Sequence, residues 1–313
     1  MSTSITKKQE EHYCELLLRK TKDVLGGESR LNKDVFQRLI ESGVFHDDIK
    51  ETIVKFFISD QYSDEQVSWS NGYLSGYKKP KSIEMQVSML QELFPGLGGI
   101  SEEYLAKIES GEIKLPKVMH VEGLFAVPNW EKNPELFGKT YVLTVQKVLD
   151  KLIETRNGKF VVSDKVYFED DTFCQTERTK DFFKKLSEEQ GNPDILIVPA
   201  QFGIEHAGKS VRRTRVVFKV KEFGLGIFAI GIMLLTHPER LQHCDDLWIN
   251  CTGDGHSLSG NELSLHTLYL YFSNKRRVVL SHEWNGYYTI RSGSPSAVLP
   301  ELKLDLPIGE LGP

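Results

Sequence analysis

Asp194-Ile195-Leu196-Ile197-Val198-Pro199-Ala200-Gln201-Phe202-Gly203 leads directly into Ile204-Glu205-His206-Ala207-Gly208-Lys209-Ser210. The apolar, β-branched run 194–198, opened by Asn192-Pro193, reads as a buried strand. Ser210 has the side chain of a helix N-cap, and Val211, Thr214, Val217 and Phe218 follow at helical spacing. Strand, glycine-bounded loop and helix are the parts of a phosphate-cradling P-loop, and residues 203–210 match G-x-x-x-x-G-K-[ST] in full. In such a loop the backbone N–H groups and the helix N-terminus face phosphate oxygens, Lys209 reaches the terminal phosphates, and Ser210 holds Mg²⁺. Whether this match is a nucleotide site or a lookalike decides the fold class.

Three observations favour a lookalike. A P-loop NTPase needs an acidic residue at the end of another strand. The best later strand, Leu247-Trp248-Ile249-Asn250-Cys251, ends in Asn and Cys, and Asp254 comes only after Thr252-Gly253. Pro199-Ala200-Gln201-Phe202 separates the apolar run from Gly203, whereas a P-loop leaves its strand almost directly. The last part of the chain reads as antiparallel hairpins rather than further β-α units. Leu265 to Phe272 and Arg276 to His282 pair across Ser273-Asn274-Lys275, and Tyr287 to Ile290 adds a strand.

Pro199-Ala200-Gln201-Phe202-Gly203 and Gly208-Lys209-Ser210-Val211-Arg212-Arg213 are continued by Glu222-Phe223-Gly224-Leu225-Gly226 and Leu235-Thr236-His237-Pro238-Glu239-Arg240. Together they resemble a family of uncharacterised bacterial proteins, over residues 115–260. The resemblance implies no assigned activity. In that family the position of Lys209 is arginine, which suits an anion contact and not a Walker lysine.

The chain has 313 residues, 40% hydrophobic and 27% charged, with a net charge of −5. That composition is ordinary for a globular protein, and the charge gives no field drawing the whole chain onto nucleic acid or an anionic membrane. The four cysteines (Cys14, Cys174, Cys244, Cys251) are scattered, so reduced thiols in a cytoplasmic protein are expected. Met1 to Glu11 is too polar for a signal peptide. The longest apolar stretch, Phe223 to Leu235, is too short for a membrane span and carries three glycines; it reads as a core helix packed on the sheet.

The expected fold is α+β (mixed α/β), a helical region 1–116 followed by a mixed-sheet domain 117–313. Helical faces recur at Tyr13, Leu16, Leu17, Val24 and Leu25, then at Phe36, Leu39 and Ile40 after Asn32, then from Asp47 through Phe57. A weak repeat follows. Ser63 to Ser68 leads to Asn71-Gly72 and Lys78-Lys79-Pro80, and Ser101 to Ala106 leads to Ser110-Gly111 and Lys114-Leu115-Pro116. Each copy reads as a capped short helix with a glycine stop. The first resembles the recognition half of a helix-turn-helix, with Gln66, Ser70 and Asn71 facing bases. Residues 1–117 carry more acidic than basic residues, opposite to a DNA-binding domain, so a plain helical bundle is preferred. In the second half, helices are expected over Thr140–Glu154 and Thr176–Gln190.

If strands 194–198 and 247–251 are parallel neighbours, the loops leaving their carboxyl ends meet, where open α/β sheets place ligands. The candidate anion-binding set is therefore Gln201, Glu205, His206, Gly208, Lys209, Ser210, Arg212 and Arg213 from one loop, with Asn250, Thr252, Asp254 and His256 from the other. The basic run Lys209, Arg212, Arg213, Arg215, Lys219, Lys221 is the strongest local positive feature. His243, Cys244, Asp245, Asp246, Cys251, Asp254 and His256 lie close in sequence but lack a metal-motif spacing, so no metal and no cofactor are expected. The leading functional expectation is a non-enzymatic cytoplasmic binding or regulatory protein contacting a polyanion, such as nucleic acid, through the basic segment 208–219. The alternative is an enzyme acting on a nucleotide or phosphorylated substrate through 203–210. A plain interaction protein is a third reading, and no membrane partner is expected.

Overall fold

The computed structural model describes residues 61–69, 72–115, 121–164, 166, 168, 173–256 and 266–302. The helices expected before residue 60, and Ser70 and Asn71, lie outside these. The chain divides into compact units 1–56 and 57–313, so the helices between 83 and 109 belong with the sheets that follow them.

Local rules shape the first elements. Helix α1 (Ile83–Leu93) starts at Ser82, whose hydroxyl accepts the Met85 N–H, and α2 (Glu102–Glu109) starts at Ser101, whose hydroxyl accepts that of Tyr104. The second copy of the repeat thus forms its capped helix. The first does not: residues 61–65 form turns and a bend, and Gln66 makes a single β-bridge to Lys209. No recognition helix forms over the described residues 61–69.

Strands β1 (Ile113–Lys114) and β2 (Gly123–Pro128) lead to the short α3 (Pro134–Phe137) and the amphipathic α4 (Tyr141–Thr155), capped by Thr140. Then come β3 (Phe160–Val162), β4 (Phe173–Gln175), α5 (Glu177–Glu189), β5 (Ile195–Gln201), α6 (Val211–Val217), β6 (Glu222–Gly224) and α7 (Ile227–Thr236). The chain continues through β7 (Trp248–Asn250), β8 (Asp254–His256), β9 (His266–Ser273), β10 (Arg277–Trp284), β11 (Ser292–Gly293), β12 (Ser296–Val298) and β13 (Glu301–Leu302). Helices and mixed sheets in this order make an α+β protein.

A four-stranded antiparallel sheet has the order β2-β5-β12-β6, and a five-stranded mixed sheet has the order β11-β7-β9-β10-β3. Strands β5 and β7 therefore lie in different sheets and are not the parallel neighbours expected. The reason is β12, which arrives from far along the chain and takes the place beside β5, pairing Ala297 with Ala200. The β9–β10 hairpin forms, with Ser273 in the strand opposite Arg277, so the turn is Asn274-Lys275-Arg276, one residue later than read. Residues 287–289 are irregular rather than a strand.

The stretch read as one core helix, 223–235, splits into β6 and α7. Every residue of α7 is buried. A Cβ on Gly231 would lie 2.5 Å from Val148 Cγ1, so the glycine admits helix α4 and not the sheet. No helix among the described residues is long and apolar enough to cross a membrane.

Candidate functional site

Strand β5 continues through Pro199 and Ala200 to Gln201, so only Phe202 separates it from Gly203. In that respect the P-loop geometry is closer than the sequence indicated. The donors of the loop, however, are already engaged. Gly203 N–H donates to Gln201 Oε1, Ala207 N–H to Ile204 O at 3.2 Å, Gly208 N–H to Ser292 O at 2.8 Å and Ser210 N–H to Glu65 O at 3.0 Å. The carbonyl of Gly208 accepts the Val67 N–H at 2.9 Å, which lays the 65–67 segment along the loop.

Ser210 caps α6 as expected, accepting the Arg213 N–H at 3.0 Å. Its hydroxyl in turn donates to Glu65 Oε2 at 2.7 Å, and Arg212 grips the same carboxylate through Nε at 2.7 Å and through Nη2. Burial works against the charge on Glu65, but the bonds from Arg212 and Ser210 outweigh it and hold the carboxyl below its ordinary value. Glu65 is thus the anion that this helix terminus and arginine bind.

Three further residues of the basic run are engaged within the chain. Lys209 Nζ donates to Glu205 O at 3.1 Å, and burial lowers its pKa. Arg213 Nη1 donates to Gln61 O at 2.8 Å, and Arg215 bonds Thr252 O at 3.0 Å and Asp254 O at 2.5 Å. His206 Nε2 lies 2.5 Å from Glu222 Oε1, which also accepts from Ser296 Oγ at 2.7 Å. Gln201 donates to Ser296 Oγ at 2.9 Å. His206, Glu222, Ser296 and Gln201 form one internal network.

The second loop does not join it as a ligand site. Asp254 is buried and accepts Ile227 N–H at 2.6 Å and Tyr141 O–H at 2.7 Å, which caps the N-terminus of α7. His256 pairs with Phe173 through β8, and Asn250 sits opposite Tyr269 in the other sheet. The second loop does meet the basic run, through Arg215 on the Thr252 and Asp254 carbonyls, but not as strand-end loops of one parallel sheet, because β5 and β7 lie in different sheets.

Gly208 gives this packing a measurable consequence. Its φ is +79°, and a Cβ there would lie 2.2 Å from Val67 O. Gly208→Ala is expected to cost about 2–3 kcal/mol in urea denaturation, since both left-handed backbone strain and a backbone clash are incurred. A cost below about 0.5 kcal/mol would mean that the 65–67 segment lifts off the loop freely.

A different surface carries free recognition chemistry. Along β9, Leu268 and Leu270 face the core, so Tyr269 and Tyr271 face the opposite side. Cross-strand register adds Trp248 and Asn250 from β7, Arg277, Val279 and Ser281 from β10, and Val161 from β3. Tyr269 and Tyr271 stack with centroids 5.5 Å apart and planes at 19°. Trp248 leans over both, at 5.7 and 5.4 Å. A groove of 710 Å³ runs over this face, lined by Val161, Trp248, Tyr271, Lys275, Arg277 and Arg291 among others. Trp248 Nε1 and Arg277 Nε, both buried beside this groove, have no hydrogen-bond partner among the described residues. Lys275 and Arg276 stand exposed at the hairpin tip.

The signal for this face was present in the sequence as the alternation Leu268-Tyr269-Leu270-Tyr271 ahead of Lys275-Arg276-Arg277. It reads as a strand whose second face is aromatic instead of polar, followed by a basic turn. The same part of the fold gathers three metal-type side chains, His243, Cys244 and Asp245, whereas Asp246 is buried beneath their turn and Cys251 and Asp254 are buried outside the cluster. No family model, curated protein or solved structure matches this chain.

Proposed function

We propose that the protein is a non-enzymatic binder of single-stranded nucleic acid, holding bases against Trp248, Tyr269 and Tyr271 and phosphates against Lys275, Arg277 and Arg291. The observation that carries this reading is the three-ring stack on a sheet face beside a groove lined by Lys275, Arg277 and Arg291. Stacking on aromatic side chains contributes about 1–3 kcal/mol per base and tolerates any sequence. The polyanion reading from sequence thus moves from residues 208–219 to the β9–β10 hairpin. The nucleotide-enzyme alternative needs open donors at 203–210, and the N–H groups of Gly203, Ala207, Gly208 and Ser210 are bonded within the chain.

The test is fluorescence anisotropy of labelled oligo-dT, oligo-U and a duplex. Binding to the single strands is expected to weaken with salt at a log–log slope of about −2, because roughly three phosphate contacts at −0.7 each are available. Tyr271→Ala is expected to weaken binding about 5- to 100-fold, and Arg277→Ala to weaken it while also flattening the salt slope. No anisotropy change for either single strand would sink the proposal, as would a Tyr271→Ala protein that binds like wild type. Stronger binding of RNA than DNA identifies RNA as the ligand.

A further inference from the structure

We propose that His243, Cys244 and Asp245 form a three-ligand site for a divalent transition-metal ion of the zinc class. The proposal stands independently of nucleic-acid binding, although Cys244 lies on the wall of the same groove. One ligand atom from each residue lies within 4.8 Å of the others. His243 Nδ1 and Asp245 Oδ2 are 3.8 Å apart. Tetrahedral zinc, with bonds of about 2.0–2.3 Å, holds its ligand atoms roughly 3.3–3.7 Å apart. Closing the triad therefore takes about 1 Å of side-chain movement, within one rotamer adjustment. His243 and Asp245 are 52% and 47% exposed, and the adjustment exchanges the bond that His243 Nδ1 accepts from the Asp245 N–H at 3.1 Å for the metal.

The backbone beneath them is fixed. Asp246 is fully buried, and its carboxylate accepts Gln242 N–H at 2.8 Å and His243 N–H at 2.7 Å from its own loop. It also accepts Leu74 N–H at 2.8 Å and Ser75 N–H at 2.9 Å from a distant segment. Asp246 N–H returns to His243 O at 3.0 Å and closes the turn around the three ligands. A metal binding here orders side chains only, on a loop that is already ordered.

The donor set selects the ion. A thiolate with an imidazole and a carboxylate suits Zn²⁺ or Co²⁺ and does not suit Mg²⁺ or Ca²⁺, which take oxygen ligands. Three protein ligands leave the fourth tetrahedral position to water, the arrangement of an open site. The cation already nearest, Arg291, is 3.8 Å from Asp245 Oδ1, too long for a hydrogen bond, so it offers weak competition. A metal on Asp245 releases Arg291 toward the groove that it also lines.

The experiment is a Co²⁺ titration of the reduced full-length chain, read by absorption. One equivalent is expected to bind with a near-ultraviolet thiolate-to-cobalt band, which Zn²⁺ displaces. Cys244→Ser is expected to abolish the band, and His243→Ala and Asp245→Ala to weaken binding at least about tenfold. The double variant Cys14→Ser/Cys174→Ser is expected to leave the band unchanged. Circular dichroism checks that each variant is folded, and thermal unfolding with Zn²⁺ provides a second readout through the wild-type rise in Tm. Absence of a thiolate band in wild type overturns the site. So does a band that survives Cys244→Ser.

Discussion

Replacing Asp246 by alanine is expected to lower the stability of the 57–313 unit by about 3–5 kcal/mol, because it orphans several buried donors at once. Four backbone N–H groups, those of Leu74, Ser75, Gln242 and His243, converge on this one carboxylate, and Ser75 Oγ joins them. Two of these donors lie in the loop between α7 and β7, and the others lie more than a hundred and fifty residues earlier, as the separations of 171 and 172 show. Asp246 therefore joins the segment around residue 74 to the second sheet. Asp246→Asn keeps one oxygen acceptor and places an NH₂ against the remaining N–H groups, so its loss is expected to be smaller, about 2 kcal/mol. Urea denaturation followed by tryptophan fluorescence measures both. Co²⁺ binding at His243, Cys244 and Asp245 is expected to weaken in parallel, since the turn that presents them is held by the same carboxylate. A loss below about 1 kcal/mol for the alanine variant would show that water replaces the carboxylate at little cost.

Elements that depend on short-range chemistry were legible in the sequence. Thr140 and Thr176 cap α4 and α5 within a residue of the expected starts, Ser210 caps α6, and the Ser273–Arg277 turn sets the β9–β10 register. Pairing between distant strands was not legible. Strand β12 is three residues of Ser, Ala and Val with no periodicity to mark it, yet it occupies the place between β5 and β6 and separates β5 from β7. Glu222-Phe223-Gly224 merged into the apolar run after it, because a fully buried strand and a buried helix look alike when neither shows alternation. The P-loop pattern was present, but a pattern does not report who holds its donors. The partner, Glu65, lies in a stretch whose caps read as a helix and which forms turns. The aromatic face was legible in principle, from Tyr269 and Tyr271 alternating with leucines, but the basic run at 209–221 is denser in charge and drew the functional reading. Density of charge in sequence says nothing of burial, and Arg213 is only 8% exposed.

Asp254 is expected to make the stability of this protein fall as pH rises from 4 to 7. Burial is the largest influence on its carboxyl, and against the opposing Ile227 N–H, Tyr141 O–H and Arg215 it raises the pKa from 3.8 to about 7. The space is tight enough that a Cβ on Gly226 would lie 2.0 Å from Asp254 Oδ1, so water has little room to solvate the charge. A raised carboxyl pKa means that the folded state binds the proton more tightly than the unfolded state. The contribution of the group is complete below about pH 4, is lost as pH rises through the interval, and is constant above about 7. At about 1.4 kcal/mol per unit, the full excursion is roughly 4 kcal/mol. Glu65 and Glu222 act in the opposite sense, because their bonds to Arg212 and His206 hold them below the ordinary value in spite of burial. Wild type alone therefore shows a mixture. The comparison with Asp254→Asn isolates the group, since the amide still accepts the Ile227 N–H but cannot ionise. Denaturation of both proteins from pH 4.5 to 8 is expected to show wild type losing stability relative to the variant up to pH 7 and running parallel to it above. A difference independent of pH would mean that Asp254 stays ionised throughout, and that the cap on α7 is strong enough to hold a full charge in the core.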